Sequence, residues 1–287
     1  MANLRAIRTR IRSVENTRQI TKSMKMVAAA KLRRTQTAFS ALRDFAAQSE
    51  EMLAKLTGSA PDLDDPLLRR HAENKKVCYV LIVGNRGLCG TYHAALLRYL
   101  EELAAKEERE KELVVCGRWG KDMIPGLGVP VSQTFEISDA PEAAEAARVA
   151  DWLRERYQRG AADEIVLVYQ RFRSVLKQDP GTQTLLPMQL KKPESDGAAP
   201  RWIYEPDRDA LLHTLLGMTL YNTVHAALLE ARTGEHSARM TAMTAAADNT
   251  EALIGELTLQ LNHARQAAIT TELSEIAGGA AALQNRQ

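Results

Sequence analysis

The 287-residue chain is 45 % hydrophobic and 26 % charged, the balance of an ordinary soluble protein, and its formal net charge is only +2. That near-neutrality removes any global polycation argument for nucleic acid. Three cysteines (Cys78, Cys89, Cys116) show neither paired spacing nor a metal motif, so a reducing compartment is expected. Met1–Arg12 has charges spread through it and no apolar run, so no secretory signal is read there.

The first element is a proline-free helix from about Leu4 to Thr57, where Gly58 and Pro61 supply a stop. It would span roughly 80 Å, longer than a globular domain is wide. Leu4, Ile7, Ile11, Val14, Arg18, Thr21, Lys25, Ala28, Leu32, Thr35, Phe39, Leu42, Ala46, Ser49, Leu53 and Leu56 follow an alternating spacing of three and four. That is the heptad rhythm of a left-handed coiled coil. The seam turns polar at Arg18, Thr21 and Lys25, while Ile20, Met24 and Val27 shift to a neighbouring face. The shift predicts contact there with something besides the partner helix. Arg5, Arg8, Arg10, Arg12, Arg18, Lys22, Lys25, Lys31, Arg33 and Arg34 stand against Glu15 alone. A basic-region DNA reader has such density. Here Ile7, Ile11 and Val14 run a packing stripe through it, so an acidic protein surface is the more economical partner. For single residues such as Arg8 or Arg10, a solvated charged face suffices.

After a polar connector, Leu56–Asn74, the pattern changes. Lys76–Gly84 is a short β-branched apolar run that reads as a buried strand. Thr91–Lys106 reads as a helix, Leu113–Cys116 and Val129–Phe135 as strands, and Pro141–Gln158 as a helix with Pro141 in its first turn. Glu164–Tyr169 is a further strand and Gln183–Leu190 one more. Strands alternating with helices predict a small Rossmann-like α/β domain with a largely parallel sheet. Lys191–Pro200 reads as an exposed loop.

From Asp207 to about Ile276 the chain again lacks proline, a helix of roughly 100 Å. Ala210–Leu229 carries no formal charge, but His213, Thr214, Thr219, Asn222, Thr223 and His225 make it too polar for hydrocarbon, so a buried helix base is expected. Residues 1–57 hold 12 Lys and Arg against 4 Asp and Glu; residues 207–287 hold 5 against 9. The two ends therefore attract when laid side by side. The organisation is 1–57, a coiled-coil helix; 58–206, an inserted α/β domain with flanking loops; and 207–287, the second coiled-coil helix, the two helices packing antiparallel.

Chemistry in the inserted domain is thin. Gly84-Asn85-Arg86-Gly87-Leu88-Cys89-Gly90 follows a strand and opens a helix, but its spacing departs from the dinucleotide fingerprint and no acidic ribose partner follows. Gly117-Arg118-Trp119-Gly120-Lys121 fails the phosphate-loop pattern. Glycines that make a tight strand-to-helix turn explain both better. Cys89 reads as a small semi-buried thiol. The six histidines contain no pair at i, i+4, so no helical metal site is expected. No cofactor is assigned.

Longer stretches resemble a known family. Arg10-Ile-Arg-Ser-Val-Glu-Asn-Thr-Arg-Gln-Ile-Thr-Lys-Ser-Met-Lys-Met-Val-Ala-Ala-Ala-Lys-Leu-Arg-Arg34 resembles the N-terminal signature of the gamma subunit of F-type ATP synthases. Gly87-Leu-Cys-Gly90 resembles its central turn, and Trp202-Ile-Tyr-Glu-Pro-Asp207 its entry into the last helix. Ala238-Arg-Met-Thr-Ala-Met243, Asn262–Glu272 and Glu275–Leu283 resemble its C-terminal signature. Asn85, where the family often has an acidic residue, and His93, where it has Asn, depart from the pattern. The cysteine-bearing insertion of plastid relatives is not apparent.

The resemblance implies a central rotor shaft in single copy, inside an alpha/beta hexamer, with the α/β domain as a foot beside the epsilon subunit on the membrane rotor ring. Catalysis then sits on beta, and this chain couples proton flow to ATP synthesis or hydrolysis without a catalytic site of its own. It also implies contact with the catalytic ring at Met24 and Lys25, a catch at Arg265, Gln266, Thr270, Thr271 and Glu272, and a bearing tip from Ile276 to Leu283. Tyr204 and Glu205 would meet the membrane ring. The implied place is the cytoplasmic side of a bacterial cell membrane, as a peripheral protein, with a processed organellar chain as the alternative. A coiled-coil adaptor and a nucleotide-binding α/β enzyme are the competing readings.

Overall fold

The computed structural model describes residues 2–58, 65–119, 124–189 and 207–284. Tyr204 and Glu205, the expected membrane-ring contacts, lie outside the described residues. Helix α1 runs Ala2–Gly58 and α4 runs Arg208–Gln284, the latter extending past the expected end near Ile276. The chain forms two compact units, Met1–Val27 with Met240–Gln287, and Ala28–Arg239.

The first unit is a helix pair. Along α1, Leu4, Ile7, Ile11 and Val14 are half-buried and Thr21 is buried; along α4, Met243 and Leu257 are buried and Ala247, Thr250, Ile254, Leu261, Ala264 and Ala268 are half-buried. Both rows keep the three-four spacing, so each helix turns one seam toward the other. Ile7 and Arg10 share a groove with Leu257, Gln260, His263 and Ala264, while Arg18 lies 3.9 Å from Glu251. Position rises along α1 as it falls along α4, which makes the pair antiparallel.

The second unit is built on a five-stranded sheet in the order β3-β2-β1-β4-β5, with β1 Lys76–Ile82, β2 Glu110–Cys116, β3 Val131–Phe135, β4 Glu164–Phe172 and β5 Gln178–Leu186. The first four strands are parallel and β5 is antiparallel to β4. The alternation of β1 sorts its side chains by face. Val77, Tyr79, Leu81 and Val83 pack with Leu96 and Leu100 of α2 (Tyr92–Lys106). Cys78, Val80 and Ile82 pack with Val149 and Leu153 of α3 (Ala143–Gln158) and with Leu212, Leu216, Leu220, Val224 and Leu228 of α4. The uncharged stretch Ala210–Leu229 is thus the core-facing base of α4, and no described helix is long and apolar enough to cross a membrane.

Several boundaries differ from the sequence reading: β2 begins three residues earlier, at Glu110, β4 runs on to Phe172, and β5 ends at Leu186 and not at Leu190. Pro141 stands before α3, whose N-cap is Glu142; the Glu145 backbone N–H donates to Glu142 O (3.0 Å) and the Glu145 carboxylate accepts from Glu142 N–H (2.9 Å). β5 begins five residues earlier than expected, at Gln178, because Pro180 and Gly181 are tolerated on an edge strand, where the missing donor can face away from the ladder.

Candidate functional site

On the helix pair, the polar break in the seam is answered in two ways: Arg18 lies 3.9 Å from Glu251 of α4, and Thr21 bonds within its own helix. Thr21 donates its hydroxyl to Arg18 O at 2.9 Å and is buried, whereas Arg18 is exposed. Met24 and Lys25 are half-buried, and the displaced apolar residues on either side stand open: Ile20 is 60 % and Val27 is 56 % exposed. On α4, Arg265, Gln266, Thr270, Thr271 and Glu272 are all exposed. The threonine hydroxyls donate to Gln266 O (3.0 Å) and Ala267 O (2.9 Å). Their lone pairs and the Gln266 amide stay open to a partner. Arg265 and Glu272 form no ion pair with any described residue. Leu273 is exposed and Ile276 is 70 % exposed; Leu283 lies in α4, but its side chain is outside the described ones.

The C-terminal edge of the sheet carries a buried cluster of charges. In open α/β sheets, ligands enter the crevice outside these strand ends, where the strand order reverses. Here that place is filled by α4. Glu235 is 1 % exposed, and its carboxylate accepts from Arg232 Nη1 at 2.8 Å and from Arg239 Nη2 at 2.6 Å. A Cβ on Gly84 would fall 2.4 Å from Glu235 Cδ, so only glycine at the end of β1 admits the carboxylate. Gly117 is held at φ +124°, and a Cβ there would meet Val83 O at 2.2 Å. Close approach thus accounts for Gly84 and Gly117, and a φ of +61° for Gly90, while a Cβ on Gly87 would meet nothing nearer than Trp119 at 3.7 Å.

The two arginines also bind the loops themselves. Arg232 donates to Ile137 O (2.9 Å), Ser138 O (3.1 Å) and Asn85 Oδ1 (3.3 Å), and Arg239 to Arg86 O (2.9 Å) and Gly87 O (3.2 Å). Arg239 Nη1 donates to His236 Nδ1, and His236 Nε2 donates to Asp139 O, which assigns the neutral Nε2–H tautomer. Lys31 of α1 pairs with the Asp139 carboxylate. In the same stretch of α4, Tyr92 donates to Ala231 O (2.6 Å), Phe172 N–H to Glu230 (2.9 Å) and Ser237 to Val175 O (2.6 Å).

The electrostatics follow from this packing. Burial alone would raise the Glu235 carboxyl, but the Arg232 and Arg239 guanidiniums outweigh it and hold the group below its ordinary range. Burial works in the same upward sense on Asp139, and the Lys31 ammonium overrides it, bringing that carboxyl down to about 2. Burial lowers His93 to about 4 and also lowers His236. His93 stacks on Trp119 with ring centroids 4.1 Å apart, and its buried Nδ1 has no hydrogen-bond partner among the described residues. Cys89 is buried and pushed up to about 11, which keeps it a thiol.

Sequence reasoning missed Arg232, Glu235 and Arg239 as a site. Their signal was present: three charges at i, i+3 and i+7, two helical turns on one face, among small residues. No group of His, Cys, Asp and Glu among the described residues could hold a metal ion.

The family profile described as ATP synthase matches residues 3–283. ATP synthase gamma chains of Desulforamulus reducens and Moorella thermoacetica are 42 % and 43 % identical, over 99 % of this chain and 100 % of each relative. The fold is that of the rotor of Euglena gracilis mitochondrial ATP synthase, with a TM-score of 0.67 at 20 % identity, covering 93 % of this chain and 99 % of that one. A second structure of the same enzyme, with its F1 part and c-ring, gives a TM-score of 0.66 over 98 % of this chain and 95 % of that one, also at 20 % identity. By these full-length matches, the chain belongs to the ATP synthase gamma chain family.

Proposed function

We propose that the chain is the central rotor shaft of a proton-translocating F-type ATP synthase, coupling ion flow through a membrane ring to ATP synthesis or hydrolysis on beta subunits. One observation carries this reading beyond family membership. The helix pair buries a single seam and leaves Ile20, Val27, Leu259, Ile269, Leu273 and Ile276 exposed. Two helices with that much apolar surface open are suited to the inside of a protein ring. At Lys25, Arg265, Gln266, Thr270, Thr271 and Glu272, polar groups without an ion pair among the described residues supply contacts that form and release.

The chain itself performs no bond chemistry in this reading. The crevice where an α/β domain would hold a nucleotide is occupied by Glu235 and its arginines, which disfavours the nucleotide-enzyme alternative. The α/β unit serves as the foot, with Tyr204 and Glu205 toward the membrane ring and the epsilon subunit beside it. The whole is a peripheral protein on the cytoplasmic face of a bacterial membrane. Purification of the tagged chain from membranes tests this. Alpha, beta, epsilon and ring subunits should accompany it in one complex holding a single copy of the chain. Recovery as a soluble monomer or homodimer without them would support the adaptor instead.

A further inference from the structure

Apolar packing fixes α4 to the sheet from Leu212 to Leu228, but hydrophobic contact is non-directional and resists rotation or sliding of a helix only through the relief of its side chains. Beyond Leu228 the contact changes character. Within Glu230–Arg239, α4 is bonded to the loops after β1, β3 and β4 by hydrogen bonds of defined direction. Arg232 and Arg239 lie two turns apart on one face with Glu235 between them, and the Glu235 carboxylate sits where the side chain of any residue larger than glycine at position 84 would be. A one-turn slide of about 5.4 Å, or a rotation of about 100° by one residue, would carry the carboxylate out of that notch and leave buried charges unpaired.

Stability alone does not call for such an arrangement. A well-packed apolar triad of similar volume often holds as well or better, because buried ions must first lose their water. What an apolar triad lacks is a preferred register.

We propose that Arg232, Glu235 and Arg239, seated on Gly84, form a register clamp that holds the axial and rotational position of α4 on the sheet against applied torque. The proposal rests on the rotor reading above; these are positioning residues, remote from any catalytic site. Torque carried along α4 from its C-terminal end meets this contact before the apolar base at Leu228–Leu212, and a weakened clamp lets the helix slip while ATP is still hydrolysed.

The test uses membrane vesicles carrying the assembled complex, with ATP hydrolysis and ATP-driven ion pumping measured together as an opposing ion gradient is raised. Glu235→Gln keeps the side chain's shape but presents an amide nitrogen to one guanidinium. Gly84→Ala drives the carboxylate out of its notch. In both, ions pumped per ATP should fall about threefold or more against wild type, and the deficit should grow with the opposing gradient, as slip under load requires. A merely structural role lowers the amount of complex but leaves that ratio equal to wild type at every load. An unchanged ratio in Glu235→Gln overturns the clamp whatever Gly84→Ala does, and leaves the rotor reading standing. If wild-type vesicles pump equally well with the chain removed, the rotor reading falls and the clamp falls with it.

Discussion

Arginine stands in opposite circumstances in the two units. Arg232 is fully buried and its guanidinium donates to Glu235, Asn85, Ile137 O and Ser138 O. Arg265, on the same helix 33 residues later, is exposed and has no ion pair among the described residues. Burial makes the first a directional tie, because each of its donors must be answered in a medium that screens poorly. Exposure makes the second nearly weightless in the isolated chain and leaves its fork available to a partner carboxylate. The same side chain is tied down in one unit and open to solvent in the other.

The largest effect should come from breaking the buried side of this comparison. Arg232→Met leaves Glu235 with one cation and removes donors from Ile137 O, Ser138 O and Asn85. A loss of about 3–5 kcal/mol is expected, the cost of uncompensating a buried ion pair. Urea unfolding of the purified chain, followed by tryptophan fluorescence, measures it; a loss below about 1 kcal/mol would mean that the pocket is wet and the tie weak.

Leucine sharpens the contrast without charge. Leu100 is completely buried between α2 and the sheet, and Leu273 is exposed on α4. Leu100→Ala should cost about 2–5 kcal/mol, and Leu273→Ala should stay within about 0.5 kcal/mol in the isolated chain. Equal effects in the same unfolding assay would show that Leu273 is already covered, for example by self-association.

Acid should loosen the second unit first. His93 has an ordinary value of 6.5 and sits near 4 when folded, so between those values the unfolded chain binds a proton that the folded chain refuses. Stability is therefore full above about pH 6.5 and is lost as pH falls toward 4. His236, also lowered by burial, acts in the same direction; Glu230, raised by burial, opposes them, because its folded form takes a proton more readily. Glu235 and Asp139 add their losses only below their ordinary values of 4.5 and 3.8. The midpoint of thermal unfolding should drop from pH 7 to pH 5, and His93→Asn should drop less. An equal drop in both would move the acid sensitivity elsewhere.

What was legible in the sequence follows the same division. The seam of α1 could be read because a period of 3.5 residues survives in any environment: Ala28, Leu32, Thr35, Ser49 and Leu53 are all buried where the spacing puts them. The strands β1 and β4 were readable as continuous apolar runs covered on both faces. The start of β5 was not, because Pro180 and Gly181 break a strand everywhere but at an edge, and edge position is a property of the assembled sheet. Nor was the clamp, because a charge on a helix reads as a solvated face until the fold closes over it. Glycine at position 84 looked like a ligand loop because an internal carboxylate and an external phosphate demand the same close approach.

The smallest structural effect belongs to Arg265, and it separates a catch from an idle surface. Arg265 and Glu272 are seven residues apart, two turns along the helix, beyond the reach of the i, i+4 pairing that would stabilise the helix. With no ion pair among the described residues to lose, Arg265→Ala should shift unfolding by less than about 0.5 kcal/mol. Helix content, read by circular dichroism, should not change. An exposed arginine that touches nothing in the complex would leave assembly, hydrolysis and synthesis at wild-type levels as well. A catch engages a carboxylate on the surrounding ring through both arms of the guanidinium, and lysine, a point charge without that fork, replaces it only in part. Arg265→Ala should then lower ATP hydrolysis or recovery of the assembled complex about tenfold, with Arg265→Lys between the two. Wild-type assembly and turnover in Arg265→Ala would remove the catch from this helix face and confine the function of the patch to keeping α4 soluble.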